Sequence, residues 1–373
     1  MAMDTGSDDD DEQHSDPDDD LDEAAEDEDA HHVDDRAPSR AAVGDEVEAG
    51  AIKVAGRVAI LGRPNVGKST LLNRVVGEKL AIVSPLPQTT RDRIVGVWSG
   101  EITKSRTSDE RVAGQIAFVD TPGIHEAHSA LNRYMLDQAF AVLEEVDAVL
   151  MVVEAQPGEG KAASNLPPSA RRMHPAEARL IEHLGKSKLP VVLAINKVDR
   201  LKDKRALLPV LEAWGTRGNF AAFVPISATA GVGVVDVVRE LLAVLPAGEP
   251  LFDPATLTDR SERFLVAELI REQLFLRLRQ EIPYATAVEV ENWEERAAGD
   301  VVIDATILVE RDAQKAIVVG KAGAMVRDVG TSARAEITRL LGRPAHLRLH
   351  VKVAPDWTSS PSGIARAGYR KGE

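Results

Sequence analysis

The residues Gly62-Arg63-Pro64-Asn65-Val66-Gly67-Lys68-Ser69-Thr70 place two glycines, a lysine and a hydroxyl at the spacing a phosphate cradle needs. Glycines let backbone N–H groups converge on phosphate oxygens without a Cβ in the way. An apolar stretch precedes the loop and a helical pattern follows it, so a helix N-terminus adds positive partial charge. Lys68 is positioned to reach the β- and γ-phosphates of a nucleotide, and Ser69 to ligate Mg²⁺. A glycine turn before a helix would explain the loop alone, but the flanks and the spacing argue against it.

Three further stretches follow in order, each directly after an apolar run. Asp120-Thr121-Pro122-Gly123 offers a carboxylate to Mg²⁺, through water, and the Gly123 N–H to the γ-phosphate. Asn196-Lys197-Val198-Asp199 offers a carboxylate that accepts from guanine N1–H and N2–H₂. Adenine has neither donor there, so Asp199 selects GTP over ATP. The Lys197 stem lies along the base, and Asn196 is expected to tie its loop to the phosphate loop. Ser227-Ala228 supplies a backbone N–H for guanine O6. Between the first two motifs lies Gln88-Thr-Thr-Arg-Asp92. A threonine of this loop can hold Mg²⁺ only while the γ-phosphate is present, which is the ordering switch of GTPases. Thr90 is the expected ligand, with Thr89 as the alternative. The predicted metal set is Ser69, Thr90 and Asp120, and the predicted catalytic set is Lys68, Thr90 and Gly123. Ile124 follows the Asp-x-x-Gly motif.

These motifs need strand ends to hold them. Apolar runs at Val58–Leu61, Gln115–Val119, Ala148–Val153, Val191–Ile195 and Ala222–Ile226 read as strands. Helical periodicity fits Lys68–Val76, Ala130–Glu144, Pro175–Leu184 and Val234–Leu245. Nearly continuous apolar strands alternating with helices indicate an α/β domain with a parallel-rich sheet covered on both faces. Its expected extent is 54–248, with a polar surface insertion at Gln156–Met173 and a linker at Pro246–Pro250. A second domain, 249–373, reads α-β-β-α-α-β: a helix over Ser261–Gln280, strands at Ala285–Glu291 and Val301–Leu308, a short helix, a helix at Ala324–Leu341 and a strand at Ala345–Val353. Gly320-Lys321-Ala322-Gly323 falls between its last two helices. There the glycines and Lys321 can meet nucleic-acid phosphates. Arg327, Arg334, Arg339 and Lys352 are further candidates for phosphate contact. A helix–helix turn is the plain alternative for Gly-x-x-Gly.

The chain of 373 residues carries a net charge of −15, unevenly spread. Residues 1–50 hold 21 Asp or Glu against two Arg, a charge of −19, so the rest is mildly basic at +4. Residues 315–373 carry +7, which suits a polyanionic partner. The first 50 residues have too few large apolar side chains to offset the entropy of ordering and are expected to be disordered. Their role is either a solubilising tail or an electrostatic mimic that restrains the basic domain. There is no cysteine, which excludes disulfides and thiolate metal sites. No apolar run approaches the roughly 20 residues of a membrane span, and the acidic start has no signal-peptide pattern. A cytoplasmic protein is expected.

Taken together, the motifs resemble those of the Era-type ribosome-assembly GTPases. Gln280-Glu-Ile-Pro-Tyr284, Ile317-Val-Val-Gly-Lys-Ala-Gly323, Val351-Lys-Val-Ala-Pro-Asp-Trp357 and Gly368-Tyr369 extend the likeness into a type II KH domain, over about residues 56–370. The resemblance implies GTP hydrolysis to GDP and phosphate, and binding near the 3′ end of small-subunit rRNA. It also implies a role in small ribosomal subunit maturation, and a monomeric cytoplasmic protein in peripheral contact with the inner membrane. The competing reading keeps the GTPase switch and gives the second domain a protein or membrane partner. The acidic extension, the 156–173 insertion and Thr358-Ser-Ser-Pro-Ser depart from the family's pattern. At Ile124 the residue that orients water in Ras-like enzymes, a Gln, is missing, so slow intrinsic hydrolysis is expected. His125 is either a base or a loop residue. Asn65 resembles an asparagine that helps hold K⁺ in related GTPases.

Overall fold

The structure is a computed structural model; it describes residues 43–87, 89–124, 130–155, 173–359 and 361–366. Gln88, His125, Gly368, Tyr369, most of the 156–173 insertion and the first 42 residues lie outside them.

The first domain runs β1 (Val54–Leu61), α1 (Lys68–Val76), β2 (Ile94–Ser105), β3 (Ser108–Asp120), α2 (Ala130–Ala141), β4 (Ala148–Glu154), α3 (Pro175–Lys186), β5 (Val191–Asn196), α4 (Leu207–Gly215), β6 (Ala222–Pro225) and α5 (Val234–Val244). The sheet order is β2-β3-β1-β4-β5-β6. All neighbours are parallel except β2, which pairs antiparallel with β3. Strand alternation explains why the central strands are apolar throughout. Val58 and Ile60 of β1, with Leu150 and Val152 of β4, face the layer of α1 and α5. Ala59 and Leu61, with Val149, Met151 and Val153, face α3 and α4 on the other side. Chain order reverses on either side of β1, so the loop after β1 opens at the carboxyl edge where such sheets bind ligands.

Two elements of this domain escape the sequence pattern. Strand β2 reads as mixed polarity and contains Gly96, where an added Cβ would come within 2.6 Å of Leu72 Cδ1. Helix α4 carries a proline in its first turn. The boundary of the acidic segment also needs correction, because residues 43–50 belong to the folded body. Trp98 Nε1 donates to the Val43 carbonyl at 2.7 Å, and Asp45 and Glu101 exchange backbone bonds at 3.0 and 2.9 Å. This segment thereby covers the outer edge of β2, whose backbone groups would otherwise be open to pairing. The linker is not free either. Gly248 N–H donates to Lys53 O, and Val97 N–H to Leu257 O, so the connection runs strapped along the sheet.

The second domain runs α6 (Glu262–Arg277), β7 (Ala287–Glu295), β8 (Val301–Val309), α7 (Asp312–Val319), α8 (Ala324–Leu341), β9 (Ala345–Val353) and α9 (Pro361–Arg366). This is the expected α-β-β-α-α-β order with a short helix added. Sheet β7-β8-β9 has an antiparallel first pair and a parallel second pair. Ile303, Ala305 and Ile307 of β8 pack under Val266, Ile270 and Leu274 of α6 and Val329, Ala333 and Ile337 of α8. Ser261 caps α6 by accepting from Phe264 N–H at 3.3 Å. The helix stops at Arg277, short of the expected Gln280, which adopts a left-handed φ of 56°.

Candidate functional site

The loop after β1 turns through left-handed conformations at Asn65 (φ 61°) and Gly67 (φ 99°) before entering α1. At Gly67 a Cβ would meet Asn196 Nδ2 at 2.2 Å, so a side chain is excluded there. Lys68 is the first residue of α1 and is buried. Its Nζ donates to the carbonyls of Gly62 and Arg63, both at 3.3 Å. Burial lowers its pKa, and the nearby Asp120 carboxylate opposes that. Asp120, at the end of β3, is raised by burial and drawn back by Lys68, Ser69 and Thr90.

The expected metal set comes together. Ser69 Oγ donates to Asp120 Oδ2 at 2.7 Å and lies 2.9 Å from Thr90 Oγ1, which donates to the same carboxylate oxygen at 3.2 Å. Asp120 Oδ1 is buried and has no hydrogen-bond partner among the described residues. Three converging oxygens with one orphaned carboxylate oxygen suit a hard, oxygen-loving cation such as Mg²⁺. Thr90 rather than Thr89 is the threonine in this cluster.

Asn196 joins three loops. Its Nδ2 donates to Val66 O at 2.7 Å, and its Oδ1 accepts from Ala228 N–H at 2.9 Å. Lys197 sits at φ 65° and its Nζ donates to Glu154 Oε1 at 2.9 Å. Asp199 is exposed, three residues beyond the end of β5. Ser227 and Ala228 are buried, and Ser227 Oγ accepts from Ala230 N–H. Gly123 lies against Pro64, where a Cβ would come within 2.8 Å of backbone atoms.

Several residues of the predicted set support the site from below. Val66 and Ile124 turn into the core; Ile124 N–H donates to Gly62 O at 3.1 Å. Thr121 Oγ1 donates to Ile60 O at 2.8 Å, and Val198 packs on the same core as Ile124. Arg63 is held by Glu154 at 2.8 Å and Glu177 at 3.2 Å. Glu154 thus fixes both Arg63 and Lys197, a role that sequence reading missed. Its one signal was an acid at the carboxyl end of a wholly apolar strand.

In the second domain, Gly320 (φ 71°), Ala322 (φ 50°) and Gly323 (φ 75°) form a tight turn into α8. A Cβ at Gly320 would press on Met325, whereas among the described residues nothing lies within 4 Å of one at Gly323. The turn therefore presents backbone and the exposed Lys321 to any molecule approaching the N-terminus of α8. Arg327 is exposed one turn further on, and its Nη2 donates to Ala322 O at 3.4 Å. Arg334 is exposed on α8. Arg339 and Lys352 do not join this group as free cations: they pair with Glu336 at 2.7 Å and Glu291 at 2.6 Å. By strand alternation Lys352 faces away from α8, opposite the core-facing Val351.

A phosphate loop with a Ser-Thr-Asp cation cluster, joined to an α-β-β-α-α-β domain with Gly-x-x-Gly at a helix start, defines a P-loop GTPase carrying a KH domain. Comparison with known proteins agrees. Residues 57–197 match the family described as 50S ribosome-binding GTPase, and residues 281–358 match the KH domain. The GTPase Era of Geobacter metallireducens is 46% identical over 318 residues, covering 84% of this chain and 97% of that protein. The GTPase Era of Xylella fastidiosa is 44% identical over 317 residues, with 84% and 97% covered. A crystal structure of an Aquifex aeolicus Era variant bound to GDP and AlF4− superposes with a TM-score of 0.74 at 35% identity, covering 85% of this chain and 99% of that one. A structure of Era with MgGDPNP and nucleotides 1506–1542 of 16S ribosomal RNA matches to the same extent. The chain belongs to the Era family of GTPases, and it hydrolyses GTP.

Proposed function

We propose that this chain is a Mg²⁺-dependent GTP switch that grips single-stranded RNA near the 3′ end of small-subunit rRNA and assists small-subunit maturation. The observation that carries the reading is the pairing of two phosphate-binding devices in one chain. One is the Ser69–Thr90–Asp120 cluster beside Lys68. The other is the open Gly320–Gly323 turn at the head of α8. The matched GTPase family is described by the large subunit, but that description rests on the nucleotide domain alone. The KH domain is the part suited to RNA, and the two-domain Era structure holds 16S RNA.

In the nucleotide site, Lys68 would neutralise the β- and γ-phosphates, and the phosphate-loop N–H groups would hold their oxygens. Mg²⁺ would be held by Ser69 and Thr90, with Asp120 through water, and would supply positive charge where the transferred phosphoryl group develops negative charge. Asp199 would accept from guanine, while the Ala228 N–H is already donated to Asn196 Oδ1 and ties the two base-side loops together. Asn65 spends its amide nitrogen on Pro85 O at 2.9 Å, leaving its oxygen as the donor for K⁺. A buried Ile124 orients no water, which supports slow intrinsic turnover. A monomeric cytoplasmic protein with peripheral membrane contact completes the reading. Among the described residues no helix is long and apolar enough to cross a membrane.

The salt dependence of RNA binding tests the proposal. Contacts to several phosphates of a single strand predict a log–log slope of about −0.7 per phosphate. Gly323→Asp puts a carboxylate at the N-terminus of α8, where among the described residues nothing lies within 4 Å of the new Cβ. It should abolish RNA binding and leave GTP turnover intact. RNA affinity that survives this change, or that ignores salt, would favour the protein-partner reading instead.

A further inference from the structure

The short loop that carries Thr90 is tied to the second domain on both sides of that residue. On one side the Thr89 carbonyl accepts from Arg271 Nη2 of α6. Arg271 is itself buried and held by Glu268 through two hydrogen bonds of 2.8 and 2.7 Å. On the other side Arg91, only 1% exposed, inserts its guanidinium into the second domain. It donates to the carbonyls of Thr286 at 2.6 Å, Tyr284 at 2.9 Å and Pro283 at 3.2 Å. Its guanidinium carbon lies over Phe275 and Trp357, 6.0 and 5.6 Å from the ring centroids. Thr90, between these anchors, reaches the opposite way, to Ser69 and Asp120.

Three consecutive residues with outer members fixed leave the middle one little freedom. Successive Cα atoms are about 3.8 Å apart across trans peptides, so Thr90 can withdraw its hydroxyl by side-chain rotation but cannot travel. A loop excursion that carries Thr90 away from Asp120 must break the Arg91 and Arg271 bonds or take the second domain along. Breaking them leaves the carbonyls of Pro283, Tyr284 and Thr286 without the guanidinium that serves them, which is costly for buried acceptors. The planar fork of arginine, with five donors, serves three carbonyls at once in a way an ammonium cannot.

We propose that Arg91 and Arg271 are positioning residues that make the arrival or departure of the γ-phosphate and the docking of the KH domain one event. The inference rests on the GTP-switch and RNA-binding reading above and adds the residues that transmit between its two sites. Both arginines are 1% exposed and act through Thr90. Because linkage is reciprocal, RNA must shift the preference between GTP and GDP by the factor by which nucleotide shifts RNA affinity.

The test uses the full chain, with Mg²⁺, and the variants Arg91→Ala, Arg91→Lys and Arg271→Lys. Affinities are measured for GDP, for a non-hydrolysable GTP analogue, and for single-stranded RNA of the 1506–1542 segment in each nucleotide state. Thermal melting and GDP affinity report the fold. The unmodified chain should change RNA affinity between nucleotide states by about 5- to 150-fold, the usual span of allosteric coupling. Arg91→Ala should lower analogue affinity about tenfold, keep GDP affinity within about twofold, and bring the RNA ratio close to one. Arg91→Lys should not rescue it, and Arg271→Lys should act in the same direction. Unchanged nucleotide preference and an unchanged RNA ratio in these variants would overturn the proposal. Absence of RNA binding in the unmodified chain would overturn the RNA reading instead, while the ratio of analogue to GDP affinity would still judge the two arginines.

Discussion

Replacing Asn196 by Ala removes a side chain that joins β1's phosphate loop to both base-side loops. Its amide is 2% exposed and makes two buried bonds, to Val66 O at 2.7 Å and from Ala228 N–H at 2.9 Å. Each backbone group left buried without a partner costs about 1–3 kcal/mol, so the pair should cost about 2–6 kcal/mol. That loss is shared between the stability of the empty protein and its affinity for nucleotide. Its sum over the two is the quantity to measure. Denaturant unfolding of the nucleotide-free protein gives one part, and calorimetric titration with GDP gives the other. If the whole loss fell on binding, affinity would drop at least about 30-fold, at 1.36 kcal/mol per tenfold. Asn196→Asp keeps the acceptor for Ala228 N–H but turns a carboxylate against Val66 O, so it should rescue little. A summed loss below about 0.5 kcal/mol in Asn196→Ala would refute the idea that this residue holds the site together.

Other predictions follow from single contacts. Thr90→Ala should cut the affinity for Mg²⁺ with a GTP analogue by about tenfold or more while leaving GDP affinity within about twofold, as read by fluorescent-nucleotide competition; equal losses for both would remove Thr90 from the switch. Gly96→Ala drives a methyl to within 2.6 Å of Leu72 and should destabilise the protein by about 1–3 kcal/mol, seen as a lower denaturant midpoint with an unchanged slope. Glu272 is held above the ordinary glutamate value of 4.5 by burial, opposed by Lys79. The folded state therefore binds this proton more readily than the unfolded chain. Stability from this group is fully present below pH 4.5 and falls as pH rises through the raised value. Glu272→Gln should flatten that part of the stability profile; an identical profile would show that Glu272 does not titrate this way.

The nucleotide motifs were legible because each is a contiguous run that must sit at one strand end, and local sequence records both the strand and the turn. The core strands were legible for a related reason: β4 is apolar on both faces because helices cover both. Strand β2 was not legible. Its identity as an edge strand depends on β3, on the packing of Leu72 at Gly96 and on a segment some fifty residues earlier in the chain. The same holds for the contacts that join the domains. Arg91 stood in a quoted motif, yet nothing local says that its partners lie some 190 residues away. Nothing in the helical pattern over 261–280 singles out Arg271 and Glu272, yet both are buried against the first domain. The acidic segment shows the reverse error: composition alone placed residues 43–50 with the tail, although Val43 and Asp45 find partners on β2.

The account turns on a triphosphate held beside the Ser69–Thr90–Asp120 cluster, with the carboxylate of Asp199 choosing the base. Titration of the purified chain with GTP and with ATP, in Mg²⁺ and under identical conditions, tests this most directly. Loss of two charge-assisted hydrogen bonds at about 1.5–3 kcal/mol each predicts ATP binding weaker by about 10²- to 10⁴-fold. Comparable affinity for the two nucleotides, or no binding of GTP at all, would contradict it.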